Sequence, residues 1–378
     1  MGDSISLGRI AGIQIGINWS WLLVFALITW SLADQIFPDQ NPGLSRGTYW
    51  GMAVAAAILF FTSLLLHELG HAFQARREGM QIEGITLWLF GGVAKFRGMF
   101  PSAGAEFRIA IAGPLVSLVL GGVFVLAAWQ LNLPDVADGV AAWLGYINLL
   151  LLVFNLLPAL PLDGGRVLRS LLWQLKGEFA WATVVAANVG RAFGLLMIAG
   201  GVVLLIFESA YSGIWLAFIG FFLLQAAGGE LRFLTARQAL EGLRVRDLMV
   251  PDPVTVSPDL TLVEFLAAVG ASRRDLLHPV VEDGRLLGVL SVERVATVPR
   301  EEWGRRRVRD LMLPTATVPT LAADEALIDA LQELGDAEAE RALVVADGDR
   351  LVGLVSAADV LRVLQTRGRG RPGFSVRS

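Results

Sequence analysis

Residues 64–77 read LLLHELGHAFQARR, and this stretch decides what kind of protein the chain makes. It closes an apolar run that begins near residue 51, and a helix needs about 20 mostly apolar residues to cross a bilayer. Into that run it places His67, Glu68 and His71 in the pattern HExxH. On a helix, positions i and i+4 share a face, so two imidazoles can hold one zinc ion while the glutamate between them stands beside the water that the metal activates. The chain has three histidines, and two of them are here. One histidine in a span would serve as an interhelical hydrogen-bonding group; two with a glutamate on one turn exceed that role, because ionisable groups are costly in a membrane and mark function. From His67 to Arg76 a helix rises about 13 Å, which sets the histidines inside the bilayer, nearer the face marked by Arg76 and Arg77.

The composition around this stretch fits a membrane setting. Of 378 residues, 54% are hydrophobic and 17% charged, against roughly 25% charged in an ordinary soluble domain. Residues 1–230 carry 24 charges and residues 231–378 carry 42, so a membrane half is joined to a soluble half. Further apolar stretches near residues 19–37, 109–131, 140–157, 189–207 and 214–227 bring the expected spans to six. The first lacks a basic leader and others follow it, so it does not read as a cleavable signal peptide. With the N-terminus in the cytoplasm, Arg76, Arg77, Lys95, Arg97, Arg108, Arg166, Arg169, Lys176, Arg232 and Arg237 all fall on the cytoplasmic side and Arg46 alone opposes them. The positive-inside rule therefore expects both the N-terminus and the soluble half in the cytoplasm, with the chain in the cell (inner) membrane. A net charge of -4 offers no positive field to a nucleic acid.

Zero cysteines exclude thiolate zinc sites, disulfide frameworks and cysteine nucleophiles. A catalytic zinc usually takes three protein ligands, so the third is expected to be a membrane-embedded carboxylate. Asp163 in NLLPALPLDGGRVLR, residues 155–169, is the candidate. Pro158 and Pro161 break the helix ahead of it and free backbone groups, which is tolerated at membrane depth where protein or a water-filled cavity satisfies them. The broken segment is expected to admit water, and residues 165–176 to form an amphipathic helix on the cytoplasmic side. Arg191 is expected at the interface, with a fifth helix beginning near residue 189. Residues 85–97, ITLWLFGGVAKFR, read as two short strands around Gly91-Gly92, one edge of which is expected to receive an unwound substrate as an added strand.

HELGH in one span and NLLPALPLDGG some ninety residues later resemble the site-2 protease family of intramembrane zinc metalloproteases, as do GRIAGIQIGINWSW (8–21), LFGGVAKF (89–96) and IAGPLVS (111–117). The resemblance covers residues 1–230. It implies that His67, His71 and Asp163 bind one Zn2+, that Glu68 is the catalytic base, and that Asn155 positions the substrate or its developing oxyanion. It also implies a transmembrane protein substrate, the release of membrane-tethered regulators and a small β-hairpin near the active site. Position 117 holds serine where many relatives carry asparagine, a departure that leaves any polar role there open and does not touch the zinc site.

The soluble half contains a repeat. VRDLM occurs at 245–249 and again at 308–312, and VEDGRLLGVLSVERV (281–295) returns as VADGDRLVGLVSAADV (345–360). Two copies of this kind suggest paired units sharing a core. They resemble tandem CBS domains, an α/β regulatory module, at residues 245–300 and 307–366, after a linker at 231–244 and before a basic tail at 367–378 expected to be disordered. The resemblance implies adenine nucleotide binding (ATP, ADP or AMP) and association into a homo-oligomer. Its pattern is met in the second copy by Gly353, Ser356 and Asp359; in the first, Gly288 and Ser291 match but Arg294 stands where the aspartate would be. One adenosine site is expected rather than two, and the alternative is that these residues are ordinary helix caps. His278 reads as structural. The expected whole is a six-span α-helical zinc protease with a cytoplasmic tandem CBS module. The alternatives are a CBS-regulated metal-ion transporter or channel and a catalytically inactive scaffold.

Overall fold

The computed structural model describes residues 4–88, 91–207, 212–270, 277–315, 318, 320–328, 330, 341–346 and 350–368. The chain divides into two compact units, Met1–Arg232 and Phe233–Ser378.

The first unit opens with two strands, β1 (Ser4–Ile10) and β2 (Ile13–Asn18), joined by a turn at Ala11 and Gly12 with both residues at positive φ. Asn18 then caps α1 (Trp19–Ser31), which passes through a π-helical turn (Leu32–Ile36) into α2 (Phe37–Gln40). The long α3 (Arg46–Arg77) carries HExxH, and β3 (Gln81–Trp88) and β4 (Gly91–Arg97) follow it. Next come α4 (Ala103–Gln130), α5 (Asp135–Asn155), the short α6 (Asp163–Lys176), α7 (Phe179–Phe207) and α8 (Ser212–Leu240). Six helical segments are long and apolar enough to cross a membrane, α1–α2 counting as one and α6 excluded. All six expected spans are present, most of them longer than the apolar stretches that marked them.

Three boundaries differ for physical reasons. The hairpin starts at Gln81, and Trp88 pairs with Gly91, so Gly91-Gly92 opens the second strand instead of forming the turn. Residues 89–90 lie outside the described residues. The third span starts at Ala103, because Ser102 accepts a hydrogen bond from Ala105 N–H and caps it six residues early. The fifth starts at Phe179: Gly177, in the left-handed conformation, ends α6, and no glycine or proline interrupts residues 178–189. Arg191 therefore sits a little over three turns inside α7 and not at its start.

The hairpin belongs to a four-stranded sheet in the order β1-β2-β3-β4, with β2 and β3 parallel and the outer pairs antiparallel. Its inner face, Ile13, Ile15 and Ile85, packs on Leu69 and Ala72, the α3 positions flanking the second histidine. Arg76 Nη1 also donates to Ala11 O at 2.6 Å, tying the end of α3 to the β1–β2 turn.

In the second unit, β5 (Val250–Pro251), α9 (Leu262–Val269), β6 (Leu277–Glu282), β7 (Arg285–Ser291) and α10 (Val292–Ala296) come from the first repeat. The second supplies α11 (Val308–Leu311), β8 (Leu313–Pro314), β9 (Thr320–Ala322), β10 (Arg341–Ala346), β11 (Arg350–Ser356) and α12 (Ala357–Gly368). The copies exchange their leading segments. Val245 and Met249 pack with Leu321, Leu327, Val355 and Val360, and β5 pairs with β11. Reciprocally, Val308 and Met312 pack with Val256, Leu262, Phe265 and Val295, and β8 pairs with β7. Surface pairs repeat the exchange: Arg309 meets Asp259 at 2.6 Å, and Arg246 meets Asp324. The stretch read as a linker is helical as far as Leu240, and Gly242 at positive φ follows its end.

Candidate metal centre

The helix α3 brings His67 and His71 to one face, as their spacing demands, and both are buried. Asp163, 7% exposed, arrives as the first residue of α6. Its placement depends on the two glycines after it. A Cβ on Gly164 would collide with Leu156 O and Leu157 O, and one on Gly165 with the backbone of Ala159 and Leu160. The first turn of α6 thus lies directly on the broken segment 156–162, where Ala159 and Leu160 are fully buried. Leu156 and Pro158, by contrast, are exposed, and Pro161 and Leu162 are half-buried.

The three donor atoms form a nearly equilateral triangle: His67 Nε2 to Asp163 Oδ2, His71 Nε2 to Asp163 Oδ2, and Nε2 to Nε2 are each 3.2 Å. A tetrahedral zinc with bonds of about 2.0 Å requires neighbouring donors roughly 3.3 Å apart. Two imidazole nitrogens and one carboxylate oxygen at that spacing fit the ion. They are also the only such group of His, Asp and Glu among the described residues.

Both histidines are oriented from behind. His71 Nδ1 donates to Ile109 O at 2.7 Å, and His67 Nδ1 lies 2.9 Å from Ser117 Oγ. With Nδ1 engaged in this way, each ring turns its Nε2 inward toward the other donor atoms, the orientation a metal ligand needs. Ser117 is fully buried against His67, so the polar role that the departure from asparagine left open is a contact to this histidine.

Two glycines, Gly113 within IAGPLVS and Gly70 within HELGH, shape the site by having no side chain. A Cβ on Gly113 of α4 would overlap His71 Nε2 and come within 2.6 Å of His67 Nε2. A Cβ on Gly70 of α3 would lie 2.9 Å from Val116 Cγ2 and 3.0 Å from Ala112 O, so the two helices cross through small residues. On the other side, a Cβ on Gly92 would overlap the Glu68 side chain, coming within 2.8 Å of its Cδ. The start of β4, at the edge of the sheet, therefore runs over Glu68. Asn155 is the last residue of α5, half-buried and eight positions before Asp163; it takes no part in the donor triangle.

Sequence reading missed a second buried polar group. Arg169 of α6, taken as a marker of the cytoplasmic boundary, is 4% exposed and ion-paired with Glu106 of α4, itself fully buried. Residues 63 positions apart on separate helices leave no spacing signal.

In the second unit, Asp359 lies in the first turn of α12, 3.7 Å from Arg362, and Gly353 passes so close to Met249 that a Cβ there would reach its sulfur at 2.7 Å. The Ser356 side chain and the tail from 369 lie outside the described residues. In the first copy Ser291 caps α10 through Arg294 N–H, and the Arg294 guanidinium donates to Leu311 O. The cap reading therefore holds for that copy.

The family description "Peptidase family M50" matches residues 55–142 and 135–199, and "CBS domain" matches 245–301 and 308–366. Rip3 of Mycobacterium tuberculosis, provisionally named a zinc metalloprotease, is 37% identical over 98% of this chain and 95% of its own length. The chain belongs to the M50, or site-2 protease, family. Zinc metalloprotease MJ0392 of Methanocaldococcus jannaschii is 32% identical over 96% of this chain and 97% of its own. The solved site-2 protease of the same organism aligns with 61% of this chain and 95% of its own at 32% identity, with a TM-score of 0.42. The protein is thus a multi-pass membrane zinc metalloprotease with tandem CBS domains, and the transporter alternative falls away.

Proposed function

We propose that His67, His71 and Asp163 hold the zinc ion, that Glu68 is the catalytic base, and that the enzyme cleaves within or near transmembrane segments of membrane-tethered regulatory proteins. The observation that carries this reading is the donor triangle, 3.2 Å on each side, whose two histidines lie on the same turn of α3 as Glu68.

When bound there, zinc supplies a Lewis acid that lowers the pKa of water and polarises a carbonyl. Glu68 accepts the proton of the attacking water and returns it to the leaving amine. Ser117 and the Ile109 carbonyl keep the imidazoles from turning during the reaction. A peptide bond in a membrane helix is shielded by its own hydrogen bonds, so the substrate unwinds first. The edge strand β4, passing over Glu68, can receive it as an added strand, and Asn155 at the end of α5 orients it or its developing oxyanion. The N-terminus and the CBS domains face the cytoplasm, following the basic residues. An adenine nucleotide binds the second copy, with the Ser356 hydroxyl on phosphate and the Asp359 carboxylate on ribose, and regulates cleavage.

The test replaces wild type with Glu68→Gln and identifies by mass spectrometry the membrane proteins that accumulate. Cleavage of these in reconstituted membranes is expected to fall by about 10²–10⁴ with zinc still bound. The same assay with ATP, ADP or AMP should show a response that Asp359→Ala removes. Undiminished proteolysis by Glu68→Gln refutes the catalytic assignment, and indifference to all three nucleotides refutes the regulation.

A further inference from the structure

We propose that Arg169 is a positioning residue for the zinc-ligating carboxylate: it sets the rotation of α6 and thereby the place of Asp163. The inference rests on the reading of Asp163 as a metal ligand.

Arg169 lies six residues along α6 from Asp163 and holds groups on several elements at once. Its Nε donates to Glu106 Oε1 of α4 at 2.7 Å, and its Nη1 to Glu230 Oε2 of α8 at 3.3 Å. Its guanidinium also stands 5.0 Å from the ring of Phe179 at the start of α7 and 5.9 Å from that of Phe100, ahead of α4. The planar fork fixes direction as well as distance. Glu106 precedes Gly113 by seven residues and Ser117 by eleven, so all three share one face of α4. Arg169 is therefore fastened to the same face against which His67 and His71 are set.

Stability alone does not account for this arrangement. Burying a guanidinium and a carboxylate costs so much desolvation that apolar replacements are often neutral or better. Glu106 Oε2 is moreover buried with no hydrogen-bond partner among the described residues. Geometry does account for it. Gly164 and Gly165 seat the first turn of α6 on segment 156–162, and the Arg169 contacts, more than one turn further along, hold the same helix against rotation at a second point. At a radius of roughly 5 Å, a turn of about 10° shifts the carboxylate by about 0.9 Å, several times the tolerance of roughly 0.2 Å for a metal–ligand distance.

The experiment measures zinc affinity of the full chain in lipid nanodiscs by chelator competition, without substrate, together with kcat and KM. Arg169→Met is expected to weaken zinc binding by about 10- to 100-fold, the usual cost of losing a group that orients a ligand, and to lower kcat with little change in KM. Arg169→Lys, which keeps the charge and loses the fork, should fall between that variant and wild type. If Arg169→Met lowers the melting temperature but leaves zinc affinity within twofold, the role is structural and the proposal fails. Should that variant not fold, Glu230→Gln removes the longer, partly exposed contact and should weaken zinc binding by a smaller factor; unchanged affinity there also overturns the proposal. A wild-type chain that binds no zinc would instead refute the metal site itself.

Discussion

Arg169 with Glu106 and Arg309 with Asp259 are both arginine–carboxylate pairs, at 2.7 and 2.6 Å. The first is sealed within the membrane unit; in the second the side chains are 45% and 56% exposed. Water screens the surface pair and competes for each partner, so such pairs contribute roughly 0–1 kcal/mol. The sealed pair has no such competitor, and breaking one side leaves a charge that nothing solvates. The same contrast runs through the two units. The second spreads many charges over its surface, whereas the first keeps few, and those it buries are the donor triangle and the Glu106–Arg169 pair on the helices that frame it. Charge density thus separates the units, and burial tells which charges matter.

The largest effect that would sharpen this contrast is expected at a residue with no charge. Gly113→Ala places a methyl group on the histidine nitrogens, so zinc stoichiometry by elemental analysis should fall close to zero while the chain still inserts. Full zinc content in that variant would mean that α4 can withdraw and that the close approach is not required. Next comes Ser117→Ala, which removes the partner of His67 Nδ1 at 2.9 Å. Losing such a partner costs about 10- to 100-fold in metal affinity, to be read by chelator competition; a change below twofold would remove Ser117 from the site. The smallest belongs to the surface. Arg309→Ala should change hydrogen-exchange protection in β6 and α11 by less than about fivefold, the equivalent of about 1 kcal/mol. A larger loss would show that the exchanged arms of the repeats depend on their surface pairs, and would break the distinction between the two kinds of charge.

Much of the site was legible because its signals are local. His67 and His71 are one helical turn apart, so their shared face follows from periodicity, and the absence of cysteine narrowed the third ligand to a carboxylate. The repeat at VRDLM announced a paired module. What escaped was non-local or silent. Ser117 meets His67 across 50 positions, and Glu106 meets Arg169 across 63. Glycines 92, 113, 164 and 165 lie inside the motifs quoted from the sequence, but the close approaches that require them to lack a side chain appear only in the packing. The strands β1 and β2 were seen only as part of a family resemblance, because each is short and acquires meaning by pairing with β3. The exchange of VRDLM segments was hidden for another reason: identical segments fit either copy, and only packing shows which one receives which.

By itself, then, the sequence determined the membrane and soluble halves, the six spans, the HExxH turn, the carboxylate at 163 and the repeated module. Composition, helical period and short motifs act over a few residues and survive without a fold. The tertiary structure decided that three donor atoms stand 3.2 Å apart, that β4 lies over Glu68, that the first turn of α6 rests on segment 156–162, and that Arg169 faces inward to Glu106. Those outcomes depend on how closely backbones approach and on which groups lose their water, and both are properties of elements brought together from distant parts of the chain.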